Sequence, residues 1–261
     1  MAGEQYVKLK LDENVAIITI DHPPVNALNA QTIKEFNDVF TSCVADPKIK
    51  AIVLTGGGSF AFIAGADVKE IDKISKADEG TRLALEGQQI LNKVEQSLKP
   101  VIAAINAVCL GGGNELAMAC HIRVASDRAK FGQPEISLGI IPGFGGTQRL
   151  ARLCGIARAR ELCLTGDIIT AQEAFRIGLI NKVVPDSEVL KQSIGIAKKI
   201  AAKSAKAIQL VQEAVYEGMK KSLEDGLALE AKLFGKICET SDKTEGVRAF
   251  LEKRQPKFTD Q

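Results

Sequence analysis

Two acidic residues, Glu115 and Glu135, each sit beside glycine-rich sequence of a kind that makes a carboxylate chemically useful. Glu115 follows Gly111, Gly112 and Gly113 and begins a run of good helix formers, Leu116, Ala117, Met118 and Ala119, so the glycines mark a strand-to-helix turn. The first amides of a helix have no partner within it and carry the positive end of its dipole. Such a turn can hold an oxyanion, and glycine leaves the approach open. Glu135 follows FGQP at 131–134 and precedes a second glycine loop, GIIPGFGG at 139–146. The acids are twenty positions apart, too far for neighbouring turns of one helix. Two turn-and-helix starts converging on one cleft would bring them into the same volume, where paired carboxylates do acid–base work. Taken singly, each feature has a plainer reading. Three glycines make a tight turn, a Glu near a helix start answers the dipole, and Glu135 alone is a solvated surface acid.

The elements that must position these residues follow from the hydrophobic pattern. After Pro100, the run Val101, Ile102, Ala103, Ala104 and Ile105 suits a strand buried on both faces. Near the start, Tyr6, Val7, Leu9 and Leu11 alternate with polar residues, and a second apolar run at 15–20 completes a hairpin. His22, Pro23 and Pro24 break the chain. Asn29 is placed to cap a helix carrying Ile33, Phe36, Val39, Phe40 and Val44, which ends at Asp46 and Pro47. A buried strand at 51–54 runs into Gly56, Gly57 and Gly58, and the loop at 60–67 leads to helix-like 68–72. The pattern predicts a helix over 71–98, weakened at Gly80 and Gly87, whose polar early part at 72–81 is the segment placed to close over a ligand. Helical patterns recur at 158–164, 170–179 and 186–202, and from Ser204 onward the chain is helical with apolar stripes. Strand and helix alternate through the first two-thirds, which makes the fold class α/β.

The chain has 261 residues with 46% hydrophobic content, enough for a sizeable core in one large or two modest domains. Its formal charge of +2 is scattered, so electrostatics make no case for nucleic acid or a membrane surface. No apolar segment approaches the roughly 20 residues of a membrane helix, and residues 1–6 lack a signal-peptide pattern, so the expected location is cytoplasmic. Six cysteines form no CxxC pair and lie in apolar surroundings, which argues for reduced core thiols rather than a metal or redox site. His22 and His121 are the only histidines, too few for a multi-histidine metal site, and are assigned structural roles. No Walker loop occurs, and the glycines at 143–146 depart from the dinucleotide fingerprint.

The stretches KPVIAAIN at 99–106, LGGGNELA at 110–117, FGQPE at 131–135 and GIIPGFGGTQRL at 139–150, with AGADVK at 64–69 upstream, strongly resemble the crotonase (enoyl-CoA hydratase/isomerase) family. The match is long, ordered and extends over nearly the whole chain. One departure is Asn114, which stands where hydratases of the family commonly carry Cys. The resemblance implies a spiral of ββα units with a helical C-terminal part, divided into a core at 1–203 with the CoA and catalytic site and a helical oligomerisation region at 204–261.

The resemblance also implies reversible hydration of trans-2-enoyl-CoA to 3-hydroxyacyl-CoA. Glu115 would accept a proton from the attacking water and Glu135 would supply the α-proton. The backbone amides of Ala66 and Gly112 would form an oxyanion hole, where loss of one donor typically costs about 3 to 4 kcal/mol. Ala64, Ala66, Asp67, Val68, Lys69 and Gly112 would border the substrate and its CoA, with Lys69 near the phosphates or simply a solvated helix lysine. No metal or separate cofactor is implied, since CoA is part of the substrate, and the expected assembly is a trimer or a dimer of trimers. The rival activities are double-bond isomerisation, for which one acid suffices, and a non-enzymatic acyl-CoA or RNA-binding role on the same fold.

Overall fold

The computed structural model describes residues 4–260. The chain opens with strands β1 (Val7–Asp12) and β2 (Val15–Ile20), then helix α1 (Ala30–Ala45). Three strand pairs follow: β3 (Ala51–Gly56) with β4 (Ala61–Ile63), then helices α2 (Val68–Ile71) and α3 (Ala77–Glu95); β5 (Val101–Ile105) with β6 (Val108–Leu110), then α4 (Gly112–Ala119); and β7 (Ile122–Ser126) with β8 (Lys130–Gly132), then a 3-10 turn at Pro134–Leu138. Helices α5 (Gly146–Cys154) and α6 (Ile156–Thr165), short strand β9 (Ile169–Thr170), α7 (Ala171–Arg176), β10 (Lys182–Val184) and α8 (Val189–Ala201) complete the core. Helices α9 (Ala205–Gly218), α10 (Leu223–Cys238) and α11 (Ser241–Leu251) end the chain.

Within each pair the first strand joins one sheet and the second joins another. The larger sheet has the order β1-β2-β3-β5-β7-β10 and the smaller β4-β6-β8-β9. All pairings from β2 to β10 in the larger sheet, and those joining β4 to β6 and β6 to β8, are parallel, while β9 adds to β8 antiparallel. Each unit therefore adds one strand to each sheet and a helix beside them, which is the ββα spiral that the sequence motifs imply. The repetition lies in the geometry, with no repeated motif in the sequence to announce it.

The uninterrupted apolar strands are buried on both faces. Ile18, Ile52, Leu54, Ala103 and Ile105 pack in the core shared with α1, α3 and α4. Their neighbours Ile17, Val53, Ile102 and Ala104 face the opposite side, where Val189 and Ala197 of α8 cover them. The hairpin forms as expected, but Leu9 and Leu11 on edge strand β1 are exposed, so the alternation there marks no buried face. Asn29 caps α1 by accepting a hydrogen bond from the Thr32 amide at 2.8 Å.

The helix predicted over 71–98 is in fact two. Asp67 caps the four-residue α2, residues 72–76 break the run, and α3 restarts at Ala77 with Asp78 and Glu79 in its first turn, where acids suit the dipole. Ser204, at the predicted boundary before the last helices, caps α9 by accepting from the Ala207 amide. The C-terminal tail ties back to the core: buried Asp242 accepts from the Thr259 and Asp260 amides, and Asp260 in turn pairs with Lys50 at 2.7 Å and accepts from the Ala205 amide.

Candidate active site

Three parallel strands of the smaller sheet run out at one edge, and the predicted site residues follow directly after them. Register pairs Ile63 of β4 with Cys109 of β6, and Leu110 of β6 with Gly132 of β8. Ala66 comes three residues after the first strand, Gly112 two residues after the second and Glu135 three residues after the third. Acids twenty positions apart in the chain converge because adjacent strands deliver them to the same end of one sheet.

At the junction of β6 and α4, Gly111 has φ +50°, in the left-handed region that favours glycine. A β-carbon there would also lie only 2.9 Å from Glu135 Oε1. Gly112 is the first residue of α4, so its amide has no acceptor within the helix. Ala66 reaches the same place by a different route. Leu28 donates to Gly65 O at 2.9 Å and accepts from the Asp67 amide at 3.0 Å, so this short parallel pairing skips Ala66 and turns its own amide away from Leu28. A β-carbon on Gly112 would lie 3.6 Å from that nitrogen. The structure thus brings the Ala66 and Gly112 backbones together beside the acids.

Glu115 is buried on the inner face of α4. Its Oε1 accepts from the Phe144 amide at 2.8 Å and the Gly146 amide at 2.6 Å. Burial raises its pKa to about 7, the Gly146 amide opposes that, and the charge of Glu135 adds to it, with Phe144 and Arg149 opposing. Glu135 lies in the 3-10 turn, half-buried. Burial raises its pKa as well, and its Oε2 has no hydrogen-bond partner. Gln133 lies between the acids. Its Nε2 is 3.4 Å from Glu135 Oε1, and a β-carbon on Gly146 would collide with it while lying 3.0 Å from Glu115 Oε1.

The loop that holds Glu115 is itself clamped to α3. Gln88 donates to Gly143 O at 2.8 Å, and buried Arg149 donates to Phe144 O at 2.8 Å, to Asn92 and to Glu95. Gly87, which looks like a weak point in the sequence, is where the Phe144 ring presses against α3. The glycine loop is visible in the sequence, but nothing there shows that its amides point at Glu115, and Gln133, Arg149 and Gly87 carry no signal of a site.

Residues 64–69 lead from β4 into α2 beside the glycine turn at 111–112. The Ala64 amide donates to Val25 O at 3.1 Å, Asp67 accepts from the Lys69 amide at 2.9 Å, and the side chains of Val68 and Lys69 are exposed. The histidines lie elsewhere. His121 Nδ1 accepts from the Val101 amide and His22 Nδ1 contacts Ala27 O, so both serve backbone packing. Burial pushes the thiol of Cys120 up to about 12 and that of Cys154 to about 11, which leaves them as apolar fillers rather than nucleophiles.

Residues 10–261 match the enoyl-CoA hydratase/isomerase family. The chain is 45% identical over 259 residues to the crotonyl-CoA hydratase of Syntrophomonas wolfei, covering 99% of each chain. It is 44% identical to the short-chain-enoyl-CoA hydratase of Clostridium acetobutylicum over 95% of each. Among solved structures it superposes on an enoyl-CoA hydratase from Bacillus anthracis with a TM-score of 0.94 and 37% identity, covering 98% of this chain and all of that one. With a family match over nearly its whole length and full-length relatives at this identity, the chain belongs to the enoyl-CoA hydratase/isomerase family.

Proposed function

We propose that this protein is a short-chain enoyl-CoA hydratase that reversibly adds water to trans-2-enoyl-CoA to give 3-hydroxyacyl-CoA. The observation that carries this reading is the pair of carboxylates, Glu115 and Glu135, both shifted upward in pKa by burial and gathered about Gln133 beside the Ala66 and Gly112 amides. Relatives named for hydration of crotonyl-CoA and short-chain enoyl-CoA support the substrate class.

In this mechanism the thioester oxygen sits between the Ala66 and Gly112 amides, and water lies between the acids. Glu115, whose ionised form is favoured by two backbone donors, takes a proton from the water as its oxygen bonds to the β-carbon. The π electrons of the double bond move onto the thioester oxygen as an enolate, which the amides stabilise. Glu135 then gives its proton to the α-carbon. One water is consumed, Glu115 ends protonated and Glu135 ionised, and a proton passing between them restores the start. The step is redox-neutral, so it needs no electron carrier, and CoA enters as part of the substrate. The backbone at 64–69 would flank the CoA, with the Lys69 ammonium free to reach its phosphates.

The exposed apolar side chains of the last helices, among them Val215, Met219, Leu223, Leu227, Phe234 and Phe250, support a self-association surface within 204–261 and assembly into trimers or pairs of trimers. Six unpaired cysteines fit a reducing compartment such as the cytoplasm. Among the described residues no helix is long and apolar enough to cross a membrane.

The test is purified protein with crotonyl-CoA, following loss of the conjugated enoyl absorbance and weighing the product. Loss of absorbance with a gain of one water supports hydration. Migration of the double bond in a 3-enoyl-CoA without hydration of crotonyl-CoA would replace it with isomerisation. Tight CoA-thioester binding with neither reaction would leave a binding protein.

A further inference from the structure

Next to the acids lies a pair of buried amides whose arrangement the mechanism above does not account for. Gln133 is completely buried and Asn114 is 2% exposed. Asn114 Nδ2 donates to Gln133 Oε1 at 2.9 Å, which turns the Gln133 NH2 group toward Glu135 Oε1, 3.4 Å away. Two buried oxygens here have no donor, Asn114 Oδ1 and Glu135 Oε2.

A carboxamide offers donors on one side and an acceptor on the other. The donor order Asn114 to Gln133 to Glu135 is consistent with an ionised Glu135, which can only accept. If both amides turn over, Gln133 donates to Asn114 Oδ1 and presents its carbonyl to Glu135, an arrangement only a protonated carboxyl satisfies. The unpartnered Asn114 Oδ1 is the acceptor that the reversed order requires. We infer that Asn114 is a positioning residue which, through Gln133, meets Glu135 with an N–H when the carboxyl is ionised and with a carbonyl when it holds a proton. A group that must give up and regain a proton in each cycle then keeps a hydrogen bond in both states. This rests on the acid role proposed for Glu135. The charged and titratable groups around Glu135 are Glu115 on α4 and Cys163 on α6, with Arg149 on α5 acting on Glu115.

Asn114→Asp and Asn114→Leu separate this from simple packing. An ionised aspartate can only accept, so it holds Gln133 with its carbonyl facing Glu135, and this order together with the added negative charge favours the protonated acid. The titration of Glu135 in the unliganded protein, read by carbon-13 NMR of labelled glutamate carboxyls and assigned with Glu135→Gln, should then move up by about one pH unit. With crotonyl-CoA, Asn114→Leu should lower kcat about tenfold with KM unchanged, as expected when a hydrogen bond to a charged group is lost. In a Gln133→Met background the same Asn114→Leu change should alter kcat less than about twofold, because the path through Gln133 is already cut. An unmoved Glu135 titration in Asn114→Asp, or an equal loss from Asn114→Leu with and without Gln133, overturns the proposal. Should Asn114→Asp not fold, the double-mutant comparison decides alone. Should the wild-type protein not hydrate crotonyl-CoA, the functional reading fails, and the titration, which needs no substrate, still decides the role of Asn114.

Discussion

Glu115 and Glu135 lie close together but are held differently, and the difference supports the roles proposed for them. Two backbone amides stabilise the charged form of Glu115 against a burial that raises its pKa to about 7. Replacing either acid by Gln should lower kcat by about 10²- to 10⁴-fold with KM little changed, the range for losing a general acid or base, measured with crotonyl-CoA. The raised pKa also links stability to pH. Below about 4.5, the ordinary value for this carboxyl, it is protonated in both folded and unfolded chains, and its contribution to stability is fully present. Between there and about 7 the folded protein keeps a proton that the unfolded chain releases, so stability falls as pH rises through that window. Glu115→Gln abolishes this loss. Calorimetry should find its Tm gain over wild type larger at pH 8 than at pH 4, and an equal difference at both would contradict burial as the cause.

At the scale of elements, α3 and the loop before α5 act together. The Phe144 ring lies against Gly87, and the Phe144 amide holds Glu115, so the small residue in α3 is a condition for the position of the acid. Gly87→Ala would drive a β-carbon into the ring. It should cost about 1 to 3 kcal/mol in urea unfolding, typical of overpacking, and lower kcat as the loop shifts. Gly80, near the start of the same helix, has room: its β-carbon would meet Ile74 Cγ2 at an ordinary 3.5 Å. Gly80→Ala should therefore stabilise the protein by up to about 1 kcal/mol through helix propensity. The two glycines look alike in the sequence because nothing local distinguishes a site of tertiary contact from an open one. The same limit hid the break at 72–76, a largely polar stretch with no glycine or proline to mark it.

For the whole molecule, the parallel strands β4, β6 and β8 place three successive ββα turns over one edge, and this makes a site from residues spread across some seventy positions. The last helices leave large apolar side chains in solvent, with Met219 84% and Phe250 80% exposed. A monomer rarely keeps a broad apolar surface of this kind. Sedimentation should show a trimer or hexamer in the wild type and smaller species for Phe234→Glu combined with Phe250→Glu. A wild-type monomer at micromolar concentration would end the proposal of self-association.

The sequence alone determined the buried strands, the hairpin, the cap at Asn29, the start of the helical tail at Ser204 and the glycine turn before Glu115. These depend on local pattern and backbone chemistry, which a few consecutive residues encode. Its motifs also identified both acids and the residues at 64–69 through a family resemblance. Only the tertiary structure decided that Gly146 and Phe144 hold Glu115, that Arg149 and Gly87 brace their loop, and that Asn114 and Gln133 reach Glu135. Most of those contacts join residues 19 to 57 positions apart, and their partners are chosen by strand register and the turn of the spiral, which no single stretch of chain contains.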